Sequence, residues 1–232
     1  VYTTDPRIVP KARKIKKISF EEMMELASLG AKVLQTRSVE IAMKKGVALQ
    51  VLSSFDDAIG SDLPGTLIVK EEKIMEEQLV SGIACARNEA KVTLMGVKDE
   101  PGIASKVFTP LAKAGVGVDM IVQNISQDGK ATDMTFTVSR TELPHALEAL
   151  KKEGIECKEI RSADNVAKIS IVGIGMISHS GVASTMFKTL AEKGINIQVI
   201  STSEIKVSVL IDEEYAELAV RALHSAYGLE DK

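Results

Sequence analysis

Cysteine is nearly missing from this sequence: Cys85 and Cys157 are the only two, far apart and without the spacing of a metal-ligand pair. Both fall in apolar alternating runs, where a reduced thiol packs as a small hydrophobe, so a cytosolic, disulfide-free protein is expected. The three histidines do not cluster, and tryptophan is absent. Nothing here assembles a zinc site or a Ser-His-Asp triad, and no metal ligand is assigned. No apolar run approaches the roughly 20 residues that span a bilayer, and no leader-like pattern follows Val1, so no membrane partner is expected. Positive charge is not in excess either. A net charge of −3 gives no global field to draw in a polyanion, which argues against nucleic acid as a partner.

What is present is an ordinary globular composition, 45% hydrophobic and 26% charged over 232 residues, enough for one to three compact domains. The opening "VYTTDPRIVP" starts in mid-motif without a methionine and reads as part of something longer.

The second half of the chain repeats itself. "KVTLMGVKDEPGIASKVFTPLAKAGVGVDMIVQNIS" (91–126) lies over "KISIVGIGMISHSGVASTMFKTLAEKGINIQVISTS" (168–203). Lys91 and Gly96 align with Lys168 and Gly173; after a two-residue insertion, Gly102, Lys113, Gly115 and Asp119 align with Gly181, Glu192, Gly194 and Gln198. A duplication of this length means two copies of one supersecondary unit. In the first copy, residues 91–97 alternate as a strand, with Val92, Leu94 and Gly96 on one face. Asp99 or Glu100 is predicted to cap a helix that has Pro101 in its first turn. Ala104, Val107, Phe108 and Leu111 form its apolar stripe, Gly115 ends it, and Pro110 should kink it or remove its last turn. Strands at 116–125 and 131–138 joined across "QDGK", a helix at about 141–153 and a strand at "IECKEIR" complete β-α-β-β-α-β.

The second copy reads strand 167–173, helix 181–193, strands 196–202 and 205–211 and helix 213–226, and it lacks its last strand. The apolar "LVSGIACA" (79–86) is expected to supply it, since an open edge would leave unpaired N–H and C=O groups beside a hydrophobic face. Ahead of this doubled tail, Ser19 and Glu22 form a capping box before an amphipathic helix. A second helix at about 36–45 follows, then strands in "VALQVLSS" and "GTLIVK" around the loop "DDAIGSDLPG". The charged "KEEKIMEEQ" is a linker. Met23, Met24 and Met43 are expected in the core, His179 in a loop, and His145 and His224 on helix surfaces.

"DEPGIASKVF" follows a strand and opens a helix, so its N–H groups and positive dipole end can receive an anion. It has neither the Walker A glycines and Lys-Ser/Thr nor G-x-G-x-x-G, and Asp99 would repel phosphate. A zwitterion fits better, with carboxylate on the helix start and ammonium on Asp99, which is the charge layout of a free amino acid. A plain helix-capping turn is the alternative.

The doubled unit, with "KDEPGIASKVF…VDMIVQNIS" and "GMISHSGVAS…NIQVISTSEIKVSVLI", resembles the paired ACT domains of the aspartate kinase family. "YTTDPRIVPKARKIKKISFEEMMELASLGAKVLQTRSVEIA" resembles the closing segment of that family's amino-acid kinase domain. The resemblance implies an α+β architecture: two ferredoxin-like βαββαβ ACT domains packed together, preceded by the C-terminal part of an α/β kinase domain. Its boundaries would be 1–70 for the kinase part, 71–78 for the linker, 88–163 for the first ACT domain, and 79–86 plus 164–232 for the second.

It further implies an enzyme that moves the ATP γ-phosphoryl group, with Mg, onto the side-chain carboxylate of aspartate. Tyr2, Arg7, Lys32 and Val33 would lie at the nucleotide. For Lys11, Arg13, Lys14, Lys16 and Lys17 the reading is a solvated basic face. The family's N-terminal Lys-x-Gly-Gly segment and aspartate-binding residues are absent, so no catalytic residue is assigned and this chain alone is expected to be inactive.

The resemblance places effector contacts at Asp99, Gly102, Ile103, Ala104, Gly117, Val118, Asp119, Gln123 and Ser126 in the first unit. In the second it places them at Ala183, Ser184, Ile197, Gln198, Ser203, Glu204 and Ile205. Ordinary alternatives stand beside these: Gln123 and Asn124 could cap a strand end, and "STSE" could be a hairpin turn. Lysine, threonine or both would bind there, and the chain would form a homodimer through its ACT domains or a larger assembly. Met75 is either a linker residue or an internal start. A stand-alone amino-acid sensor and a ligand-free dimerisation unit are the rival readings.

Overall fold

The computed structural model describes the chain apart from residues 32, 55–64, 74–78, 127–128, 178, 180 and 231–232. Lys32, Met75 with most of the linker, most of the "DDAIGSDLPG" loop and the start of the "QDGK" turn lie outside the described residues.

The head begins with a short strand β1 (Lys17–Ser19) that runs into helix α1 (Phe20–Ser28). Ser19 Oγ accepts from the Glu22 N–H (3.1 Å) and the Glu22 carboxylate accepts from the Ser19 N–H (3.2 Å), the reciprocal capping box expected. Helix α2 (Thr36–Lys45) closes on Gly46, whose φ of +65° provides the left-handed exit. Strands β2 (Leu49–Val51) and β3 (Thr66–Val69) complete a three-stranded sheet, order β1-β3-β2, with β1 parallel to β3. Ile18, Phe20, Met23, Leu26 and Ile68 are buried between helices and sheet. Of the three methionines expected in the core, Met23 is fully buried and Met24 packs at its margin. Met43, near the end of α2, is exposed.

The tail is one six-stranded antiparallel sheet, order β5-β6-β4-β7-β9-β8. Its strands are β4 (Gly82–Lys98), β5 (Val118–Ile125), β6 (Ala131–Ser139), β7 (Glu159–Val172), β8 (Val199–Thr202) and β9 (Lys206–Asp212). Four helices cover it: α3 (Ile103–Lys113), α4 (Leu143–Glu153), α5 (Val182–Glu192) and α6 (Ala216–Ala226). The separate strands read from the sequence at 79–86 and 91–97 are one strand, as are "IECKEIR" and 167–173. No glycine or proline interrupts residues 83–95 or 159–172, and the chain stays extended across both junctions. Residues 82–86 pair with 168–172, whereas Glu89 to Met95 pair with Val166 back to Glu159. The register shifts between Ala86 and Lys91 mark the passage from one unit to the other. Each unit therefore borrows half of both long strands.

Several local expectations change. The alternation that put Gly96 inside is broken by a bulge between Leu94 and Val97, with Gly96 at φ +63°. Val97 turns into the core in its place. Neither Asp99 nor Glu100 caps α3: Gly102 holds the N-cap position without a side-chain bond, and Pro101 precedes the helix. Asp99 instead donates its N–H to Lys130 O (3.1 Å), and Glu100 pairs with Lys98 (2.6 Å). Ile103, not Ala104, starts the buried stripe with Val107 and Leu111, because the helix begins later than the capping reading assumed. Pro110 does not remove the last turn. The helix runs on to Lys113, and Pro110 O accepts the Ala114 N–H (3.0 Å).

Two cores lie under the helices. In the first unit Val92, Leu94, Val107, Leu111, Phe136 and Leu150 are buried, with Phe108 edge-on to Phe136 at 5.3 Å. In the second, Ile169, Ile171, Met186, Leu190, Val209 and Leu223 are buried. Cys85 packs at the margin of the second core and Cys157 at that of the first, where burial pushes both thiols up from their ordinary pKa. A third cluster of Met120, Val166, Val199 and Leu210 joins β5 of the first unit to β7, β8 and β9. Among the described residues, no helix is long and apolar enough to cross a membrane.

Candidate functional site

The segment that carries Tyr2 and Arg7 is held by its backbone. Tyr2 bridges Lys14, Thr3 N–H donates to Arg13 O (2.9 Å), and Thr3 O accepts the Ile83 N–H (2.7 Å) at the start of β4. The Tyr2 ring is exposed, as is Val33 in the turn after α1. The Arg7 side chain is 90% exposed and grips Asp5, with Nη2 to Oδ2 at 2.7 Å. That hydrogen bond holds the Asp5 carboxyl below its ordinary range. An anion approaching Arg7 competes with Asp5.

Thr3 is the buried hinge of this segment. Its Oγ1 accepts the Arg13 N–H (3.0 Å), donates to Leu229 O (3.3 Å) and meets His224 Nε2 (2.8 Å). With the hydroxyl proton on Leu229, the imidazole is the donor, which leaves His224 Nδ1 buried with no partner among the described residues. His224 is therefore not the helix-surface residue expected: α6 turns it inward onto the head, fully buried. His145 is exposed on α4, and His179 lies in the loop before α5 with Nδ1 3.0 Å from Gly175 O.

Burial pushes the His224 pKa down, with Arg13 acting in the same direction and Glu230 opposing. The unfolded chain then takes up a proton that the folded chain refuses. The contribution of His224 to stability should be flat above pH ~6.5, the ordinary histidine value, and fall as pH drops from there toward the lowered native pKa. Denaturant midpoints measured from pH 7.5 to 5.5 should show this loss, and His224→Gln should remove its share of the slope.

The effector candidates of the first unit fall into two groups. Asp99, Gly102, Ile103 and Ala104 lie at the end of the sheet where Ser126 closes the β5–β6 hairpin, its Oγ accepting the Ala131 N–H (3.0 Å). Gln123 is exposed on β5 opposite Met134, toward the same end. Gly117, Val118 and Asp119 lie at the other end, where Asp119 pairs with Thr137 and Thr137 with Lys91. Lys98, beside Asp99, pairs with Ala131. At about 3.3 Å per residue the two ends are roughly 20 Å apart, so one chain does not bring Asp99 and Asp119 onto one amino acid.

Asp119 and Gln198 instead meet the seam between units. Lys168 Nζ donates to Asp119 Oδ2 (2.8 Å) and to Glu89 Oε1 (2.7 Å), and Lys91 Nζ donates to Gln198 Oε1 (2.6 Å). Gln198 Nε2 donates in turn to Asp212 (2.6 Å). Partial burial pushes the Asp119 carboxyl upward, but the Lys168 ammonium outweighs this and holds it below the usual range. For Lys168, burial favours the neutral amine, but Asp119 and Glu89 reverse it and raise its pKa.

In the second unit Ala183 and Ser184 sit in the first turn of α5, and Ile197 just ahead of β8. Ser203, Glu204 and Ile205 form the β8–β9 turn, with Ser203 N–H on Lys206 O (2.8 Å). That turn lies beside the head, where Lys206 pairs with Glu25 (2.9 Å).

Sequence reading missed Glu22, Thr3 and Lys168 as joints between parts of the chain. Only the repeat pointed at Lys168, as the equivalent of Lys91. A cleft of about 700 Å³ at the start of α6 is lined by Arg87, Glu213, Glu217 and Arg221. Its guanidinium groups are already paired with Glu217, at 2.9 and 3.3 Å.

Comparison with known proteins follows the same division. Residues 91–154 and 169–227 each match the ACT domain family, and residues 1–53 match the amino acid kinase family. Aspartokinase from Pseudomonas aeruginosa is 57% identical over 99% of this chain and 55% of its own length. The ligand-free regulatory subunit of aspartate kinase from Thermus thermophilus is 42% identical, covering 65% of this chain and 99% of that one, with a TM-score of 0.61. This chain belongs to the aspartate kinase family. Aspartokinase III from E. coli is similar in two states. In complex with aspartate and ADP (R-state) it is 28% identical with a TM-score of 0.80, over 97% of this chain and 49% of that one. In complex with lysine and aspartate (T-state) it is 27% identical with a TM-score of 0.74, over 98% and 49%. This chain spans about half the length of the curated relatives it matches.

Proposed function

We propose that this chain is the C-terminal, regulatory part of a cytoplasmic aspartate kinase. The intact enzyme would transfer the ATP γ-phosphoryl group, with Mg, to the side-chain carboxylate of aspartate. The doubled ACT unit would bind lysine, threonine or both and inhibit that reaction. The observation that carries this reading is the fusion itself: a head similar to the amino acid kinase family whose Thr3 and α1 are bonded into the second of two ACT units. Within the head, Tyr2, Arg7, Lys32 and Val33 are the nucleotide contacts, with Arg7 released from Asp5 to reach phosphate oxygens. The domain boundaries are 1–70, 71–78, 88–163, and 79–86 with 164–232. Pairing of residues 82–86 with 168–172 supports this division.

The effector sites are the two groups described above, and dimerisation supplies what a single chain separates. The outer edge of β5 carries exposed Ile121 and Ile125. Antiparallel pairing of this edge with the same edge of a second copy would put the Asp99–Gln123 end of one chain beside the Asp119 end of the other. The main-chain N–H groups of Ile103 and Ala104 would take the carboxylate, Asp99 or Asp119 the ammonium, and Gln123 the side-chain tip. Inhibition follows only if the effector prefers one arrangement of the subunits.

Calorimetric titration with lysine and threonine tests this. Saturation at 100 times Kd should stabilise the folded protein by about 2.7 kcal/mol. Asp99→Ala and Gln123→Ala should each weaken binding by about tenfold while the ligand-free thermal midpoint stays in place. Unchanged affinity in both variants would remove these sites. A silent response to every amino acid would leave only the dimerisation unit.

A further inference from the structure

The duplication puts Lys91 and Lys168 at equivalent positions, and each reaches into the opposite unit. Lys91 of the first unit holds Gln198, and Lys168 of the second holds Asp119. Gln198 and Asp119 are equivalents too, so the two contacts repeat the relation between the units. The pair is not symmetric in charge. At Gln198 the lysine meets a neutral amide, whereas at Asp119 it meets a carboxylate.

We infer that Lys168 is a tethered competitor at the first-unit effector site: its ammonium occupies the Asp119 carboxylate that the ammonium of a free amino acid has to take. It thereby sets the affinity of that site and ties occupancy to the contact between the two units. This rests on the reading of Asp119 as an effector ligand.

Three features fit such a role. The Asp119 side chain is 59% exposed while that of Lys168 is 7% exposed, so a solvent-borne ligand reaches the acid from one side and the lysine from the other. Lys168 keeps a second counter-ion in buried Glu89, at 2.7 Å. Giving up Asp119 therefore does not leave a bare ammonium in the protein interior, which would be prohibitive. Lastly, Asp119 Oδ1 accepts the Met120 N–H (2.8 Å), and Met120 has a φ of +47°, which a non-glycine residue rarely adopts. The Met120 side chain is buried against Val166, Val199 and Leu210 of the second unit. A single carboxylate thus holds both the strained residue and the cross-unit lysine. An amino acid that draws Asp119 toward itself loosens both, and the unit–unit contact reports the occupied state.

The test uses two neighbours that do not touch ligand, with lysine and threonine titrated calorimetrically into the intact protein. Glu89→Gln removes the alternative counter-ion, so Lys168 holds Asp119 more tightly; affinity should fall about threefold. Adding Lys168→Met to that background removes the competitor, and affinity should rise about tenfold above Glu89→Gln alone. A merely structural defect weakens binding in both, so opposite signs distinguish the two. Weaker binding in both variants, or no change in either while the wild type binds, overturns the competitor role and leaves the effector site standing. No binding in the wild type overturns the effector reading and this inference with it. Should the double variant fail to fold, Glu89→Gln decides alone: unchanged or tighter binding overturns the inference.

Discussion

Glu22→Ala is expected to destabilise the protein by about 3–5 kcal/mol and to loosen the head from the second ACT unit. Glu22 is a buried carboxylate whose two oxygens are both engaged. Oε1 accepts from Ser81 Oγ (2.6 Å) and from the Ile174 N–H (3.0 Å); Oε2 accepts from the Ser19 N–H (3.2 Å) and hydroxyl (3.0 Å). Truncation strands donors from three separate segments, including two backbone N–H groups, around a carboxylate that is buried in the folded chain. The thermal midpoint should drop by about 10 °C.

The same substitution has a functional consequence. Ile174 opens the loop that leads to α5, where Ala183 and Ser184 are proposed effector contacts. In the intact enzyme, Glu22→Ala should reduce inhibition by effector more than it reduces effector affinity, since the wire between the two parts is cut while the site remains. Glu22→Gln keeps an acceptor for Ile174 and should fall between. Inhibition and affinity that decline in step, in both variants, would show that the joint carries no signal.

The capping box was legible because its four-residue spacing is local, and Ser19 and Glu22 form it as read. What was not legible is that the same carboxylate also reaches Ser81 and Ile174, residues 59 and 152 positions away. Sequence patterns report local bonding; long-range bonds depend on which faces the fold brings together. The repeat at 91 and 168 exposed the β-α-β-β-α-β unit, because alternating strands and amphipathic helices carry periods that survive divergence. It could not show that the strands run unbroken from one unit to the next. A one-residue bulge reverses inside and outside without changing composition, as at Gly96 and Val97. His224 was misplaced for a related reason: a polar residue on an amphipathic helix reads as solvent-facing unless a second surface, here Thr3, covers it. The effector candidates were chosen residue by residue, and the separation of Asp99 from Asp119 follows from β4 and β5 being parallel neighbours across β6, which no local pattern encodes.

Those unbroken strands decide how the tail should unfold. Phe136 is fully buried in the first core against Phe108, and replacing it with alanine is expected to cost about 3–5 kcal/mol through lost burial and the cavity left behind. Were the ACT units independent, that loss would be confined to the first, and heating Phe136→Ala would give two transitions, one early and one at the wild-type temperature. The sheet argues otherwise. Both long strands serve both units, so freeing the first unit removes half of β4 and β7 and strips Met120 and Asp119 from the second. Once that support is gone, the remaining half-strands present open edges and a buried Lys168 stripped of both Asp119 and Glu89. The two cores should therefore melt together, in a single calorimetric transition shifted down by about 10 °C. A second transition persisting at the original midpoint would mean that each half-strand holds its own unit without the other.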